Sequence, residues 1–125
     1  GPHHSVLALK TNGNVGIGTT NPVGKLDGNG SIYQRGGLLH ADYVFTPDYQ
    51  LESIEKHAEF MWENKHLGAI PEAQRDENGQ EVMEIGARSR GVVEELEKAH
   101  IYIEQLHKRL AELEMRFKKL ESSDN

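Results

Sequence analysis

The chain has 125 residues, room for one small domain, and only 36% of them are apolar, a thin core for a lone globular unit. Its 14 basic residues stand against 20 acidic ones, a net charge of −6, which argues against wrapping nucleic-acid phosphates, where clustered Lys and Arg supply most of the affinity. Cys is absent, which removes disulfides and thiolate metal sites, and no run approaches the roughly 18–20 apolar residues that cross a bilayer. No secretory signal peptide is expected within these residues. Gly1–Pro2 resembles a protease-cleavage scar, as expected for a C-terminal fragment of a longer protein.

Three zones follow one another: a Gly-rich β stalk over 1–37, a small α+β domain over 38–87 and a C-terminal helix over 88–125. The first zone holds most of the 13 Gly, interleaved with Asn and Thr, and Asp27 is its one acid. Short apolar pieces (Val6, Leu7, Leu9; Val15, Ile17; Leu26; Ile32) are separated by Asn-Gly pairs at 12–13 and 29–30, which supply the positive-φ positions of tight turns. Strands this short, with so little side-chain volume, cannot bury a core alone, and the expectation is that they pair with other chains. The alternative is a disordered linker.

In the second zone, Leu39–Phe45 alternates roughly and is rich in β-forming residues, so a strand is predicted there. Ser53 is a candidate N-cap with Glu55 in the first turn. Ile54, Ala58, Met61 and Trp62 then fall on one face of a short helix ending near Asn64 or Lys65. Pro71 closes the next loop, and Glu77-Asn78-Gly79 marks a turn between weak strands at 70–75 and 80–85.

The third zone carries the strongest signal. Apolar residues fall at Val92, Leu96, Ala99, Ile103, Leu106, Leu110, Leu113, Phe117 and Leu120, at alternating spacings of four and three. That is an a/d seam, with Leu96, Ile103, Leu110 and Phe117 at a and the others at d. A strict 3.5-residue period means a left-handed supercoil with other helices. One chain offers no second helix of that length, so the partners are further copies. Arg109 and Arg116 occupy g, and each has a Glu at e five residues on, Glu114 and Glu121, the pairing geometry of parallel strands. Arg109–Glu114 (RLAELE) and Arg116–Glu121 (RFKKLE) both resemble the Arg-h-x-x-h-Glu signature of three-stranded coils, in which the Arg stem shields the seam. A trimer is therefore expected, with a dimer as the alternative.

Two further stretches complete the pattern. GNVGIGTTNP at 13–22 followed by KLDGNGSI at 25–32 resembles the repeats of phage tail fibres and bacterial trimeric fibre adhesins. Related proteins usually read Leu-Asp-Val-Asn-Gly where this chain has Leu26-Asp27-Gly28-Asn29-Gly30, so one strand is weakened at 28. ADYVFTPDYQLESIEKHAEFMWENKHLGAIP at 41–71 and GVVEELEKAHIYIEQL at 91–106 resemble the C-terminal domain that closes many such fibres. That domain is similar to the intramolecular chaperone of endosialidase-type tail spikes. The resemblance implies an α+β, intertwined parallel homotrimer whose chains exchange strands in the stalk and coil together at the end. It also implies a cell-surface or extracellular fibre, or a phage tail.

Cleaving members of that chaperone family carry a Ser-Asp-x-x-Leu-Lys-like stretch, Ser as nucleophile and Lys as base. The matching stretch is Pro47-Asp48-Tyr49-Gln50-Leu51-Glu52, with Pro47 and Glu52 at those two positions. Pro has no attacking group and a carboxylate cannot replace a desolvated amine, so no self-cleavage and no enzymatic activity are expected. Ser53 and Lys56 read as a helix cap and a surface charge.

Other chemistry is weakly signalled. His3 and His4 stand at the terminus, His40 on the expected strand, and His57 and His66 around the short helix. His100 and His107 are e residues one heptad apart, about 10 Å along a helix, too far for one chain to chelate with both. No HxH or HExxH spacing occurs, so no metal and no cofactor are expected. GNVGIG at 13–18 lacks the Gly-Lys-Ser/Thr ending of a phosphate loop. Glu94, Glu95 and Glu97 read as a solvated face.

Tyr43, Tyr49, Trp62, Asn64 and His66 combine aromatic rings with amides, as sugar-binding grooves do, while Trp62 equally suits packing at a trimer axis. The functional expectation is a trimerisation and assembly module that registers three chains and caps a surface fibre. The alternative is an adhesive tip that recognises a glycan or protein on a target cell. Neither nucleic-acid binding nor membrane insertion is expected.

Overall fold

A computed structural model describes residues 7–124. Gly1–Pro2, His3, His4 and Val6 lie outside the described residues. The fold is mixed α+β, with a small sheet and one long C-terminal helix. A break between Arg35 and Gly36 divides the chain into two compact units.

The first unit is a three-stranded sheet of β1 (Leu7–Leu9), β2 (Val15–Ile17) and β3 (Leu26–Gly28). β1 and β2 are antiparallel across a tight turn in which Gly13, at φ 88°, takes the left-handed position that Asn12-Gly13 predicts. β2 and β3 run parallel, in the register Val15↔Leu26 and Ile17↔Gly28. The strands thus find hydrogen-bond partners within their own chain, which corrects the expectation that pairing must come from other chains. The facing backbone groups of the three strands are bonded, whereas most of their apolar side chains stay uncovered. Alternation along each strand puts Leu7, Leu9, Val15, Ile17 and Leu26 on one face. Leu9 and Leu26 on that face are 73% and 67% exposed. Gly28, in the row of Leu7 and Ile17, adds no side chain to it.

In the second unit the long helix organises everything else. Leu39–Phe45 is not a strand: Asp42–Phe45 forms a 3₁₀ turn. Ala41 and Val44, three apart rather than two, are buried, so the packing period in this segment is helical. α1 (Ile54–Asn64) starts as expected, with the Ser53 hydroxyl accepting from the Lys56 amide at 3.2 Å. It stops at Lys65, whose left-handed backbone (φ 61°) lets its amide donate to the Met61 carbonyl. Ile54, Ala58 and Met61 are half-buried on α1, but Trp62 is 68% exposed. His57 takes the inward place instead, its ring 5.1 Å from that of Tyr102.

β4 (Gln74–Arg75) and β5 (Glu81–Val82) make a short exposed hairpin, tightened by Asp76 Oδ1, which accepts from the amides of Asn78 and Gln80. α2 spans Ile85–Ser123, 39 residues and about 58 Å, beginning three residues before the expected start. The Glu84 carboxylate caps it by accepting from the amides of Gly86 and Ala87. The segment before α2 and the helix itself belong to one compact unit, with no division at residue 87.

Candidate assembly surface

α2 presents two different sides. Its inner side is Gly91, Glu94, Glu95, Lys98, Ile101 and Tyr102, spaced at helical period and buried or half-buried against residues 38–70. Gly91 is needed for the closest approach: a Cβ there would stand 2.2 Å from the Ala69 carbonyl oxygen. Charges fill the rest of this side. Lys98, only 5% exposed at its side chain, places Nζ 2.6 Å from Glu52 Oε1 and 2.8 Å from Glu95 Oε1. His57 Nδ1 lies 2.8 Å from Glu52 Oε1, and the Tyr102 hydroxyl donates to the Glu52 carbonyl at 2.8 Å.

The ionisation of this cluster follows from its partners. Burial works to raise the Glu52 pKa, but hydrogen bonds from Lys98 and His57 outweigh it and hold the carboxyl down at about 2. Burial works to lower that of Lys98, and the two carboxylates reverse it, so the amine is raised. Burial and the charge of Glu52 push the Tyr102 hydroxyl up to about 12. Glu95 Oε2 is buried without a hydrogen-bond partner.

Glu94 forms a second lock by accepting from the hydroxyls of Tyr43 and Tyr49, the latter at 2.7 Å, with the two rings 5.9 Å apart. Burial and then Glu94 raise both phenols above their ordinary value. Glu94 and Glu95 are therefore not a solvated face. Acidic residues on a helix usually point outward, and here a Lys and two Tyr from the packed side compensate their burial.

The other side of α2 is bare. Val92, Leu96, Ile103, Leu106, Leu110, Leu113, Phe117 and Leu120 are 44–66% exposed, and Ala99 is exposed too. Every residue of α2 from Ile103 onward is exposed. Arg109 and Glu114 make no ion pair among the described residues, and Arg116 reaches Glu112 only at 3.8 Å. Glu121 flanks the last turn of the seam.

The five aromatic and amide residues fall into two sets. Tyr43 and Tyr49 are joined at Glu94. Around the end of α1, Lys65 Nζ sits 5.5 Å from the Trp62 ring centroid, Asn64 Nδ2 donates to the Phe60 carbonyl, and His66 meets Phe60 edge-on. His66 Nδ1 also lies 2.9 Å from the Leu67 carbonyl. Pro47 is exposed, and Glu52 is held as described. Among the described residues no three His, Asp or Glu side chains converge in a metal-binding arrangement, and no helix is long and apolar enough to cross a membrane.

Sequence reasoning missed the Glu52–Lys98–Glu95 cluster. The available signal was Gly91 followed by Glu94, Glu95, Lys98 and Tyr102 at helical spacing, a second stripe beside the apolar one. Comparison with protein-family models, with curated proteins and with solved structures finds no match to this chain.

Proposed function

We propose that this protein is the trimerisation and assembly module of a surface-exposed trimeric fibre, in which α2 brings three chains into register and caps the fibre. The observation that carries it is the apolar a/d row left bare from Val92 to Leu120, while the opposite side of α2 is packed by the chain itself as far as Tyr102. Burying one such Leu or Phe fully is worth about 1.5–3 kcal/mol, and a continuous exposed apolar stripe on a soluble chain marks a contact with another macromolecule. The stripe keeps a 3.5-residue period, so the fitting partner is a helix of equal period, and parallel copies of α2 also pair Arg109 with Glu114 and Arg116 with Glu121 across chains. Three copies suit the two Arg-to-Glu spacings and Phe117 at an a position better than two.

The bare apolar face of the β1–β2–β3 sheet supports the same reading from a separate unit, since three such faces turned inward would bury one another. The likeness to fibre repeats at 13–32 and to fibre-closing domains at 41–71 and 91–106 gives the setting, a cell-surface fibre or a phage tail. No catalysis is proposed. Pro47 offers no nucleophile, and Glu52 is committed to Lys98 and His57.

Light scattering on the purified chain tests the assembly: a mass of three chains is expected, and a monomer at micromolar concentration would overturn it. Intact mass after prolonged incubation tests the chemistry, and a fragment ending near residue 46 would reopen self-cleavage.

The exposed indole of Trp62, with Lys65 beside it, favours a second reading, an adhesive tip for a target-cell glycan or protein. Three weak sites around one axis would bind by avidity. A Trp62→Ala, His66→Ala variant that stays trimeric should then lose binding to target cells. Unchanged binding moves recognition elsewhere.

A further inference from the structure

The first turn of α1 does not lie squarely behind α2. It lies to one side, and between the two helices is a groove of ≈ 250 Å³ lined by Ser53, Ile54, Glu55, Gln105, Leu106 and Arg109. Leu106 is a d residue of the seam and Arg109 a g residue, so the groove opens on the g flank. The e flank is different: His100 and His107 are exposed there. Each α2 thus has one flank walled by its own α1 and one flank open.

A parallel coil brings those unlike flanks together. Each helix turns its g flank to the e flank of the next, and a g residue faces the e residue five positions on. By that arithmetic Tyr102 at g faces position 107 of the neighbour. Tyr102, however, is turned inward, buried at 8% exposure with its hydroxyl on the Glu52 carbonyl and its ring against His57. The neighbour's e residue therefore has no g partner on α2, and the groove with the exposed Glu55 carboxylate stands at its level instead.

We propose that this groove receives His107 of the partner subunit, so that the first turn of α1 is part of the interface and each chain clasps the next. The proposal rests on the parallel-coil reading above. Ile54 and Leu106 supply apolar walls for an imidazole ring, and Glu55 and the Gln105 amide supply hydrogen-bonding groups. Arg109, which also lines the groove, is left to reach the partner's Glu114. The occupant is a second copy because the groove is continuous with the seam through Leu106 and because the open flank carries a residue able to bond the walled one.

The natural absence of Cys makes the test direct. The full chain carrying E55C and H107C, oxidised and run on a non-reducing gel, should give a reducible product of three linked chains. A second chain carrying R109C and E114C reports on the parallel coil alone. Linkage of the second pair without the first overturns the clasp and leaves the coil standing. Linkage of neither overturns both, and cross-links confined within single chains overturn the clasp. A two-chain product keeps the clasp and revises the number of copies. Charge exchange gives an independent reading without Cys: E55K should lower the urea midpoint of dissociation, and H107E added to it should restore that midpoint. Failure to restore it would count against the contact.

Discussion

The two sides of α2 are built from opposite chemistry and meet opposite partners. The inner side is polar and charged, yet it is the buried one, because Glu52, Tyr43, Tyr49 and the backbone at Ala69 come to it from residues 38–70. The outer side is apolar and regular, yet it is the exposed one. Hydrophobicity alone would assign them the other way round. What decides burial within a chain is which segment can reach a surface. Residues 38–70 are too few to cover a helix of about 58 Å, and they bury it only as far as Tyr102. The uncovered row is the one whose period suits a second helix.

That contrast breaks most completely on the outer side. Leu106→Asp with Leu110→Asp puts carboxylates into every layer they occupy, and unpaired charge in such a core is not tolerated. The expected result is complete loss of the trimer in sedimentation while helical circular dichroism from the packed half persists. A trimer of normal mass would show that the seam is not what assembles the protein.

On the inner side the largest effect is expected from Lys98→Met. It leaves Glu52 and Glu95 facing each other without their shared cation, and breaking a buried pair in this way costs about 3–5 kcal/mol. A denaturation midpoint close to the parent's would mean that water, not Lys98, compensates the two carboxylates.

Gly91→Ala sharpens the comparison through its sign. On an exposed helix face the change stabilises by about 1 kcal/mol. Here the new methyl would meet the Ala69 carbonyl, and a net destabilisation of about 1–3 kcal/mol is expected from overpacking against backbone. The matched control is Ala99→Gly on the outer side, where loss of helix propensity alone acts in the monomer. A rise in thermal midpoint for Gly91→Ala would mean that the crossing at Ala69 is looser than described.

The smallest effect is the pH dependence of the inner lock. The folded Glu52 carboxyl, at about 2, lies below the ordinary value of 4.5. Its stabilising contribution is therefore fully present above pH 4.5 and is lost as pH falls toward 2. Thermal midpoints followed over that range should fall more steeply for the parent than for Glu52→Gln. Parallel curves would take Glu52 out of the acid transition.

The sequence by itself determined what local rules govern. The 3.5-residue repeat from Val92 to Leu120, the Ser53 cap, the end of α1 at Asn64 and the turns at Gly13 and Gly79 were all legible. Each depends on residues within a turn or two of one another, through backbone hydrogen bonding and side-chain spacing. Tertiary structure alone decided the rest: that Asp42–Phe45 curls into a 3₁₀ turn, that Glu95 is buried and Glu94 half-buried, and that Glu52 meets a lysine 46 positions away. The physical reason is that a carboxylate carries the same local propensity whether solvated or paired. Its fate is set by the groups that a distant segment brings to it, two Tyr hydroxyls to Glu94 and the Ala69 amide to Glu95, and Gly91 leaves room for the chain at Ala69 to cross against the helix backbone.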